Sequence, residues 1–252
     1  MKGVILAGGL GSRLAPCTHV TNKHLLPVYD QPMIFYPIRT LLEAEIEDIL
    51  IVTSEDSAED FHRVLGDGAK LGIRNLSFAY QVGEGDIADA LGLAREFADG
   101  GRLLVMLGDN VIEGSIEPAV DAYRKQESGA KILLSSVHDP QRFGVARVED
   151  GKIMEIIEKP KNPPSNLAVT GIYMYDEDVF EMIDRLEPSA RGELEITDVN
   201  NLYLDRGDLS WEELAGWWTD AGTFESLFRA SSLIREQRRG VVKVKPKVRL
   251  AA

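Results

Sequence analysis

The sequence predicts an α/β fold with a mostly parallel β-sheet flanked by helices. Four apolar runs with strand character recur in the first half of the chain, at Val4–Ala7, Ile49–Thr53, Leu76–Gln81 and Leu103–Leu107. Between these runs, Ile34–Ala44 and Ile87–Phe97 space their apolar residues by about 3.6 positions, as amphipathic helices do. Strands that alternate with helices are typical of a parallel sheet covered on both faces, so we expect a Rossmann-like arrangement.

The middle of the chain predicts an antiparallel excursion, which makes the sheet mixed. Asp150 and Gly151 separate two alternating apolar runs within residues 143–157, a pattern that indicates a β-hairpin. Val169–Tyr175 predicts a further strand, and a helix follows at about residues 177–186. Segments 194–204 and 224–236 have helical patterns, and residues 241–252 form a short basic tail.

The composition excludes several classes of protein. With 252 residues the chain can bury a full core, and we expect a single domain over residues 1–240. The formal net charge of −13 argues against a nucleic-acid partner, which would require a basic surface. No apolar run approaches the roughly 20 residues of a membrane span and no signal peptide is evident, so we expect a cytoplasmic protein without a membrane partner. Cys17 is the single cysteine, which excludes an intrachain disulfide and a cysteine metal cluster.

The first predicted strand runs into a glycine-rich turn that suits phosphate. Gly8, Gly9 and Gly11 let the backbone approach a ligand closely, and the N–H groups there and at Ser12 can donate to phosphate oxygens. Arg13 adds a planar cation. A Walker P-loop would need Gly-Lys-Ser/Thr, and a dinucleotide fingerprint would need a third glycine at position 14; neither is present. A purely structural turn is the remaining alternative, and it leaves Arg13 unexplained.

Two carboxylates follow predicted strands at positions that suit a metal. Asp109 comes just after the run that ends at Leu107, at the strand end where ligands collect in open α/β sheets. A carboxylate there suits Mg²⁺, which binds one or two carboxylates together with phosphate oxygens and water. Asp220 ends an aromatic-rich strand and is followed by small residues. Each could instead be a turn or capping residue.

Further cations are spread along the sequence. Lys23 lies a short loop beyond the glycines and can fold back over the same anion, although a lone lysine is more often a surface residue. Lys159 follows Glu158 at the end of the hairpin, where it could bind a second phosphate while Glu158 accepts from hydroxyl groups; a solvated ion pair is the alternative. Arg191 precedes a predicted helix and is either a phosphate ligand or a surface or capping residue.

These motifs, in this order, resemble those of the sugar-1-phosphate nucleotidyltransferases, most closely the thymidylyltransferase branch. The matching segments are residues 2–14, 22–34, 107–110, 139–145, 158–160, 169–173, 189–198 and 220–223. They are spread over roughly residues 1–236 and form a specific signature.

The resemblance implies a nucleotide-diphospho-sugar transferase fold, with a nucleotide-binding core at about residues 1–130 and a sugar-phosphate-binding part at about residues 131–223. It implies that a hexose 1-phosphate, with α-D-glucose 1-phosphate favoured, attacks the α-phosphorus of a pyrimidine nucleoside triphosphate with Mg²⁺ as cofactor. dTTP is the favoured nucleotide and UTP the alternative. A non-catalytic nucleotide-sugar-binding module is a second alternative. A homodimer or homotetramer is also implied.

The resemblance also implies roles for individual residues. The catalytic residues would be Arg13, Lys23, Asp109, Lys159 and Asp220, with Asp109 and Asp220 as metal ligands. The nucleotide would be bound by Leu6, Gly8, Gly9, Gly11, Ser12, Arg13, Lys23, Gln81, Gly85, Asp86 and Asp109. The sugar phosphate would be bound by Asn110, Gly144, Glu158, Lys159, Val169 and Arg191.

Four features depart from the family pattern. Asp86 stands where the base-binding loop usually has glycine, with Gly85 one position earlier. His24 stands where glutamine is common, and Phe143 where tyrosine is common. The sequence also stops before the C-terminal helices of longer family members, which help to build the family's regulatory site, so the resemblance leaves feedback control open.

Overall fold

The structure, a computed structural model, describes residues 1–82, 86–189 and 192–242. The strands in these ranges are β1 (Lys2–Ala7), β2 (Pro27–Val28), β3 (Gln31–Pro32), β4 (Asp48–Ser54), β5 (Asn75–Gln81), β6 (Leu103–Leu107), β7 (Asn110–Ile112), β8 (Ala130–Ser136), β9 (Gly144–Glu149), β10 (Lys152–Glu158), β11 (Leu167–Tyr175), β12 (Leu209–Glu213) and β13 (Trp218–Asp220). The helices are α1 (Phe35–Glu43), α2 (Ala58–Leu65), α3 (Ile87–Gly92), α4 (Arg95–Ala98), α5 (Glu117–Arg124), α6 (Val179–Asp184), α7 (Ile196–Asp205) and α8 (Phe224–Val242). Among the described residues, no helix is both long and apolar enough to cross a membrane.

Nine strands of the described chain form one mixed sheet. β5, β4, β1 and β6 lie side by side in that order and run parallel, as the sequence predicts. β11 pairs antiparallel with β6 and with β8, and β12 and the β9–β10 hairpin extend the sheet beyond it. The predicted α/β fold, with a parallel centre and an antiparallel excursion, is confirmed.

The central parallel strands are buried on both faces. Val4 and Leu6 of β1 point into one apolar cluster, which α3, α6 and α7 cover. Ile5 and Ala7 point into a second cluster, covered by α1, α2 and α5. Successive side chains of a strand point to opposite faces, so a strand between two layers of helices must be apolar at every position. This explains why β1 appears in the sequence as a continuous apolar run.

The parallel strands end at the same level. Leu6 of β1 pairs with Val52 of β4 and with Leu107 of β6, so the residues that follow the three strands share one edge of the sheet. The N–H of Gly108 donates to the carbonyl of Leu6 over 2.9 Å and joins the strand ends. This is the edge at which ligands bind in α/β proteins, and both the glycine loop and Asp109 lie there.

β11 bends where it passes the end of β6. Its pairing with β8 shifts register between Val169 and Tyr173, and Gly171 in this stretch has a φ of +80°. A side chain at Gly171 would come within 2.7 Å of Leu107 and 2.8 Å of Asn110, so only glycine fits. The bend brings the first half of β11 against the carboxyl edge of the parallel strands.

The predicted hairpin is confirmed, whereas one segment predicted as a single helix forms two helices. β9 and β10 turn at Asp150 and Gly151, which have φ values of 49° and 76°, as a type I′ turn requires. The segment Ile87–Phe97 forms two short helices, α3 and α4, rather than one. The break follows Gly92, a residue with low helix propensity.

The C-terminal helix is longer than the sequence predicts. α8 continues to Val242, past the predicted end at residue 236 and into the first two residues of the predicted tail. Residues 243–252 of that tail lie outside the described part of the chain.

Candidate active site

A cleft of about 310 Å³ lies at the carboxyl edge of the parallel strands. It is lined by the ends of β1, β6 and β13, by β9, β10 and β11, and by the segment 193–197. The predicted site residues that line it are Leu6, Gly9, Arg13, Lys23, Asp109, Asn110, Gly144, Glu158, Lys159, Val169 and Asp220. Residues predicted from motifs far apart in the sequence therefore meet in one cleft.

The other predicted residues lie in the glycine loop, at the end of β5, at the start of α3 or outside the described chain. Those that the structure describes but that do not line the cleft are Gly8, Gly11, Ser12, Gln81 and Asp86. Ser12 is exposed and begins a 3₁₀ turn directly after the glycines. Gly85 and Arg191 are outside the described residues, so their predicted roles stay predictions.

The glycine loop is packed against the side chains of Gln81 and Lys23. A Cβ atom at Gly8 would come within 2.6 Å of Oε1 of Gln81, and one at Gly9 would come within 3.3 Å of Cε of Lys23. Gly11 has a φ of +66°, and a Cβ atom there would lie 2.8 Å from Cβ of Lys23. Side chains at these positions would displace both neighbours, so glycine keeps the loop backbone next to a buried amide and a cation.

Asp109 and Lys23 form a largely buried ion pair beside this loop. Nζ of Lys23 lies 2.7 Å from Oδ2 of Asp109, and the two side chains are only 14% and 12% exposed. Burial raises the pKa of the Asp109 carboxyl, but the charge and hydrogen bond of Lys23, with the charge of Arg13, outweigh burial, and the pKa is lowered to about 2. Asp109 is therefore ionised at neutral pH without any bound ligand.

His24 is a packing residue beneath this ion pair. Its ring lies against Gly108, where an added Cβ atom would come within 2.7 Å of Cδ2 of the ring. Nδ1 lies 2.7 Å from the side-chain oxygen of Asn22, which accepts the hydrogen bond. Burial, assisted by the charge of Lys23, lowers the pKa of His24 to about 3, so the imidazole is neutral.

Asp220 is brought next to Asp109 by the short β7–β13 ladder. Asp220 pairs with Asn110, and the N–H of Ala221 donates to the carbonyl of Asp109 over 2.9 Å. Burial, with the nearby charge of Asp109, raises the pKa of the Asp220 carboxyl, while Arg142 opposes that change. Two strand ends thus hold two carboxylates together, against their mutual repulsion.

One carboxylate oxygen of Asp109 and one of Asp220 face the same space beside Gly222. The point that a Cβ atom at Gly222 would occupy lies 3.2 Å from Oδ2 of Asp220, 3.4 Å from Oδ2 of Asp109 and 3.0 Å from Nη2 of Arg13. Among the described residues no group of three or more His, Cys, Asp or Glu could hold a metal by itself. Two carboxylates that leave room for phosphate oxygens and water form the ligand set that Mg²⁺ prefers.

Arg142 lines the cleft but is not among the residues predicted from the sequence. Its Nη2 lies 3.0 and 3.2 Å from the two carboxylate oxygens of Asp220, and its Nη1 lies 2.9 Å from Oδ2 of Asp139. Its guanidinium also covers the ring of Phe143, 4.9 Å from the ring centroid. Arg142 lies within the matching segment 139–145, but its contact with a residue 78 positions away is not readable from sequence.

Glu158 and Lys159 lie at the end of β10, as predicted. Oε2 of Glu158 accepts a 2.6 Å hydrogen bond from the hydroxyl of Thr197, and a Cβ atom at Gly144 would lie 3.1 Å from that hydroxyl. Lys159 has a φ of +40°, which is uncommon for a residue with a side chain, and its Nζ lies 3.4 Å from Oε1 of Glu158. Val169 of β11 completes this part of the lining.

Two predicted ligand contacts make internal hydrogen bonds in the structure. The side-chain oxygen of Asn110 accepts from the indole N–H of Trp218 at 2.5 Å, and its amide donates to the carbonyl of Gly171 at 3.2 Å. The carboxylate of Asp86 accepts from the N–H of Leu194 at 2.7 Å. Both side chains therefore hold neighbouring segments together.

A family comparison decides the class of protein. The sequence profile described as Nucleotidyl transferase matches residues 2–237. The chain belongs to this family. The nucleotidyltransferase is 46% identical over 239 residues to a glucose-1-phosphate thymidylyltransferase of an Actinoplanes species, covering 93% of this chain and 78% of that relative. It is 44% identical over 248 residues to the glucose-1-phosphate thymidylyltransferase of Xanthomonas campestris pv. campestris, covering 95% of this chain and 83% of the relative.

Solved structures agree with this assignment of the nucleotidyltransferase. A Bacillus anthracis protein, provisionally assigned as a glucose-1-phosphate thymidylyltransferase and crystallised with sucrose, has a TM-score of 0.90 and 53% identity, covering 94% of this chain and 96% of that one. A UDP-glucose pyrophosphorylase in complex with UDP-glucose has a TM-score of 0.82 and 26% identity, covering 94% and 99%. The predicted family is confirmed. Enzymes of this family act on nucleoside triphosphates and sugar 1-phosphates and use a divalent metal.

Proposed function

We propose that this nucleotidyltransferase transfers a thymidylyl group from dTTP to α-D-glucose 1-phosphate, giving dTDP-glucose and pyrophosphate. The observation that carries the proposal is the meeting of Asp109 and Asp220 around the space left by Gly222, with Arg13 beside them. A metal-binding pair next to a glycine loop suits a triphosphate. The names of the relatives at 44–46% identity support the choice of dTTP and glucose 1-phosphate.

In the proposed reaction, a phosphate oxygen of the sugar phosphate attacks the α-phosphorus of dTTP in line with the leaving pyrophosphate. A new bond forms between that oxygen and the α-phosphorus, the α–β phosphoanhydride bond breaks, and its electron pair leaves with pyrophosphate. The attacking oxygen is already ionised at neutral pH, so the reaction needs no general base. His24 is no alternative base, because its pKa is lowered to about 3 and its imidazole binds a proton only weakly.

The main barrier is electrostatic, because two anions must be brought into contact. The glycine loop, Arg13 and Lys23 would hold the triphosphate, and Lys159 would hold the phosphate of the sugar at the other end of the cleft. Arg191 is predicted to assist Lys159. Phosphoryl chemistry of this kind depends on positioning and neutralisation of charge rather than on a covalent nucleophile.

We propose Mg²⁺ as the cofactor, held by Asp109 and Asp220. When bound, Mg²⁺ neutralises phosphate charge and polarises the phosphorus under attack. Lys23 and Arg142 form ion pairs with the same two carboxylates, at 2.7 and 3.0 Å, and orient them.

A UTP-dependent enzyme is the second candidate. The likeness to UDP-glucose pyrophosphorylase, with a TM-score of 0.82, favours it. The likeness to the thymidylyltransferase structure is greater, at 0.90 with twice the sequence identity, and for this reason we place dTTP first.

The test is a panel that crosses dTTP, UTP, CTP, GTP and ATP with glucose 1-phosphate, galactose 1-phosphate and glucosamine 1-phosphate, scored by pyrophosphate release with Mg²⁺. We expect the highest kcat/KM with dTTP and glucose 1-phosphate. A higher kcat/KM with UTP would select the second candidate. If no pair releases pyrophosphate, the chain is a binding module rather than an enzyme.

A further inference from the structure

Asp86 makes a hydrogen bond that joins the start of α3 to the segment that precedes α7. It stands at the start of α3, yet its side chain makes no capping hydrogen bond to that helix. Its Oδ2 instead accepts the N–H of Leu194 at 2.7 Å, across a separation of 108 positions in the sequence. We call this hydrogen bond the clasp. A carboxylate acceptor gives a stronger hydrogen bond than a neutral one, so the clasp is a specific link rather than a loose contact.

On one side, the clasp connects to the glycine loop. Nε2 of Gln81 donates to the backbone carbonyl of Asp86 over 3.3 Å, and Oε1 of the same side chain lies against Gly8. Gln81 is only 7% exposed, so its position is fixed by these neighbours. A distance of 3.3 Å is long for a hydrogen bond, so a nucleotide seated against Gly8 and Gln81 would tighten a link that is weak without it.

On the other side, the clasp holds the segment that lines the cleft near the proposed sugar-phosphate site. Glu193, Glu195, Ile196 and Thr197 flank Leu194 and line the cleft. The hydroxyl of Thr197 donates to Glu158 over 2.6 Å, and Glu158 precedes Lys159. Contacts thus link the glycine loop to Leu194 through Gln81 and Asp86. Three residues further along the chain, Thr197 contacts Glu158 of the proposed sugar-phosphate site.

We propose that Asp86 is a positioning residue that couples nucleotide binding to sugar-phosphate binding through the clasp. A bound nucleotide fixes Gln81 and the backbone of Asp86, and the carboxylate then holds segment 193–197 in its binding position. The sugar phosphate therefore binds beside a segment that is already in its binding position, and it binds more tightly. The inference rests on the proposed function, because it takes the two ligands to be a nucleoside triphosphate and a sugar 1-phosphate.

The test measures coupling between the two ligands directly. Glucose 1-phosphate is titrated into the protein by calorimetry in Mg²⁺, with and without a dTTP analogue whose α,β-bridge is a methylene group and cannot be cleaved. Asp86→Ala and Asp86→Gly both remove the acceptor, and Asp86→Asn keeps an acceptor oxygen without the charge. Asp89→Asn, an exposed position in the first turn of the same helix, is the matched control for loss of one negative charge.

The analogue should tighten binding of glucose 1-phosphate to the wild type by about fivefold or more, the range typical of coupled sites. We expect this ratio to fall below about twofold in Asp86→Ala and Asp86→Gly, to be intermediate in Asp86→Asn, and to keep its wild-type value in Asp89→Asn. Linkage requires the reverse titration, of analogue with and without glucose 1-phosphate, to give the same ratio, which checks the measurement.

Two results would overturn the inference: a wild-type ratio of one, or an undiminished ratio in Asp86→Ala and Asp86→Gly. Glycine is well accepted at the start of a helix, so at least the second variant should fold, as a melting curve can verify. A wild type that binds neither ligand would instead contradict the proposed function. The two failures are therefore distinguishable in the same set of titrations.

Discussion

Asp109 remains ionised in a buried position because cations surround it. Its ion pair with Lys23, at 2.7 Å, neutralises the carboxylate and also fixes the direction of Oδ2. The carboxylate is ionised at neutral pH, because the pKa of Asp109 is lowered to about 2. A side chain that is charged, buried and oriented before the ligand arrives needs little reorganisation during the reaction.

We expect Asp109→Asn to lower kcat by about 100-fold or more, because an amide neither neutralises Lys23 nor binds a hard cation well. A loss of about 3 kcal/mol in transition-state stabilisation gives a factor of that size. Pyrophosphate release from dTTP and glucose 1-phosphate in Mg²⁺ measures the effect. Asp184→Asn, at a side chain that is 61% exposed, is the matched control. Near-normal turnover of Asp109→Asn would contradict the metal assignment.

Lys159 adopts an uncommon backbone conformation at the proposed sugar-phosphate end of the cleft. With a φ of +40°, it is the kind of strained residue found where a side chain must point to a ligand. We expect Lys159→Ala to lower kcat/KM for glucose 1-phosphate by about 100-fold, while the Kd of the dTTP analogue changes by less than about twofold. Lys152→Ala, at an exposed position on the same strand, should leave both values unchanged. An equal loss of affinity for both ligands would place Lys159 at the nucleotide instead.

Helix α8 supports the cleft from outside the main sheet. Ala230 and Ile234 on one face pack in an apolar cluster with Val28, Met33 and Ala221. Ala221 directly follows the metal-binding candidate Asp220, so this helix stabilises the segment that carries it. The opposite face is solvent-exposed.

We expect Ile234→Ala to lower the free energy of unfolding by about 2–4 kcal/mol, because it removes a side chain that is only 5% exposed and leaves a cavity. Phe228→Ala, on the same helix but 72% exposed, should change it by less than about 0.5 kcal/mol. Urea denaturation followed by circular dichroism measures both. Equal effects of the two substitutions would mean that the packing of α8 against the cluster is incorrect.

Elements differ in how far the sequence predicts them. β1 and β6 are buried on both faces, so their apolar runs identify them without any tertiary information. β8 and β12 were not predicted. Lys131 interrupts the apolar pattern of β8 in the sequence. The residue is nevertheless only 6% exposed, because its Nζ pairs with Glu212 on β12 over 2.8 Å. A buried lysine is explained only by a partner strand 81 positions away.

The candidate site also contains residues that the local sequence predicts and residues that depend on distant contacts. The glycine loop and Asp109 come directly after strands, so the sequence indicates both their place and their chemistry. Arg142 and the carboxylate of Asp86 take their roles from contacts with Asp220 and Leu194, which are 78 and 108 positions away. Such contacts follow from how distant strands and loops pack, which no local pattern contains.

Neither the whole molecule nor the described part of its cleft carries an excess of positive charge. The chain carries a net charge of −13. Among the described residues the cations that line the cleft are Arg13, Lys23, Arg142 and Lys159, and the carboxylates that line it are Asp109, Glu158, Glu193, Glu195 and Asp220. These charges nearly cancel, so the described part of the cleft has no surplus of positive charge for two anionic substrates. A divalent cation would supply it.

Nucleotide binding, and not only the chemical step, should therefore depend on the metal. We expect dTTP at about 100 times its Kd, with Mg²⁺, to stabilise the fold by about 2.7 kcal/mol, seen as a higher Tm in calorimetry. With EDTA in place of Mg²⁺ most of that increase should disappear, because dTTP would then bring its charge into a cleft that already holds five carboxylates. Mg²⁺ without nucleotide is the control for an effect of the ion alone. If dTTP raises the Tm equally in EDTA, the protein's own cations suffice for nucleotide binding, and Asp109 and Asp220 would have to act on the metal only during the reaction.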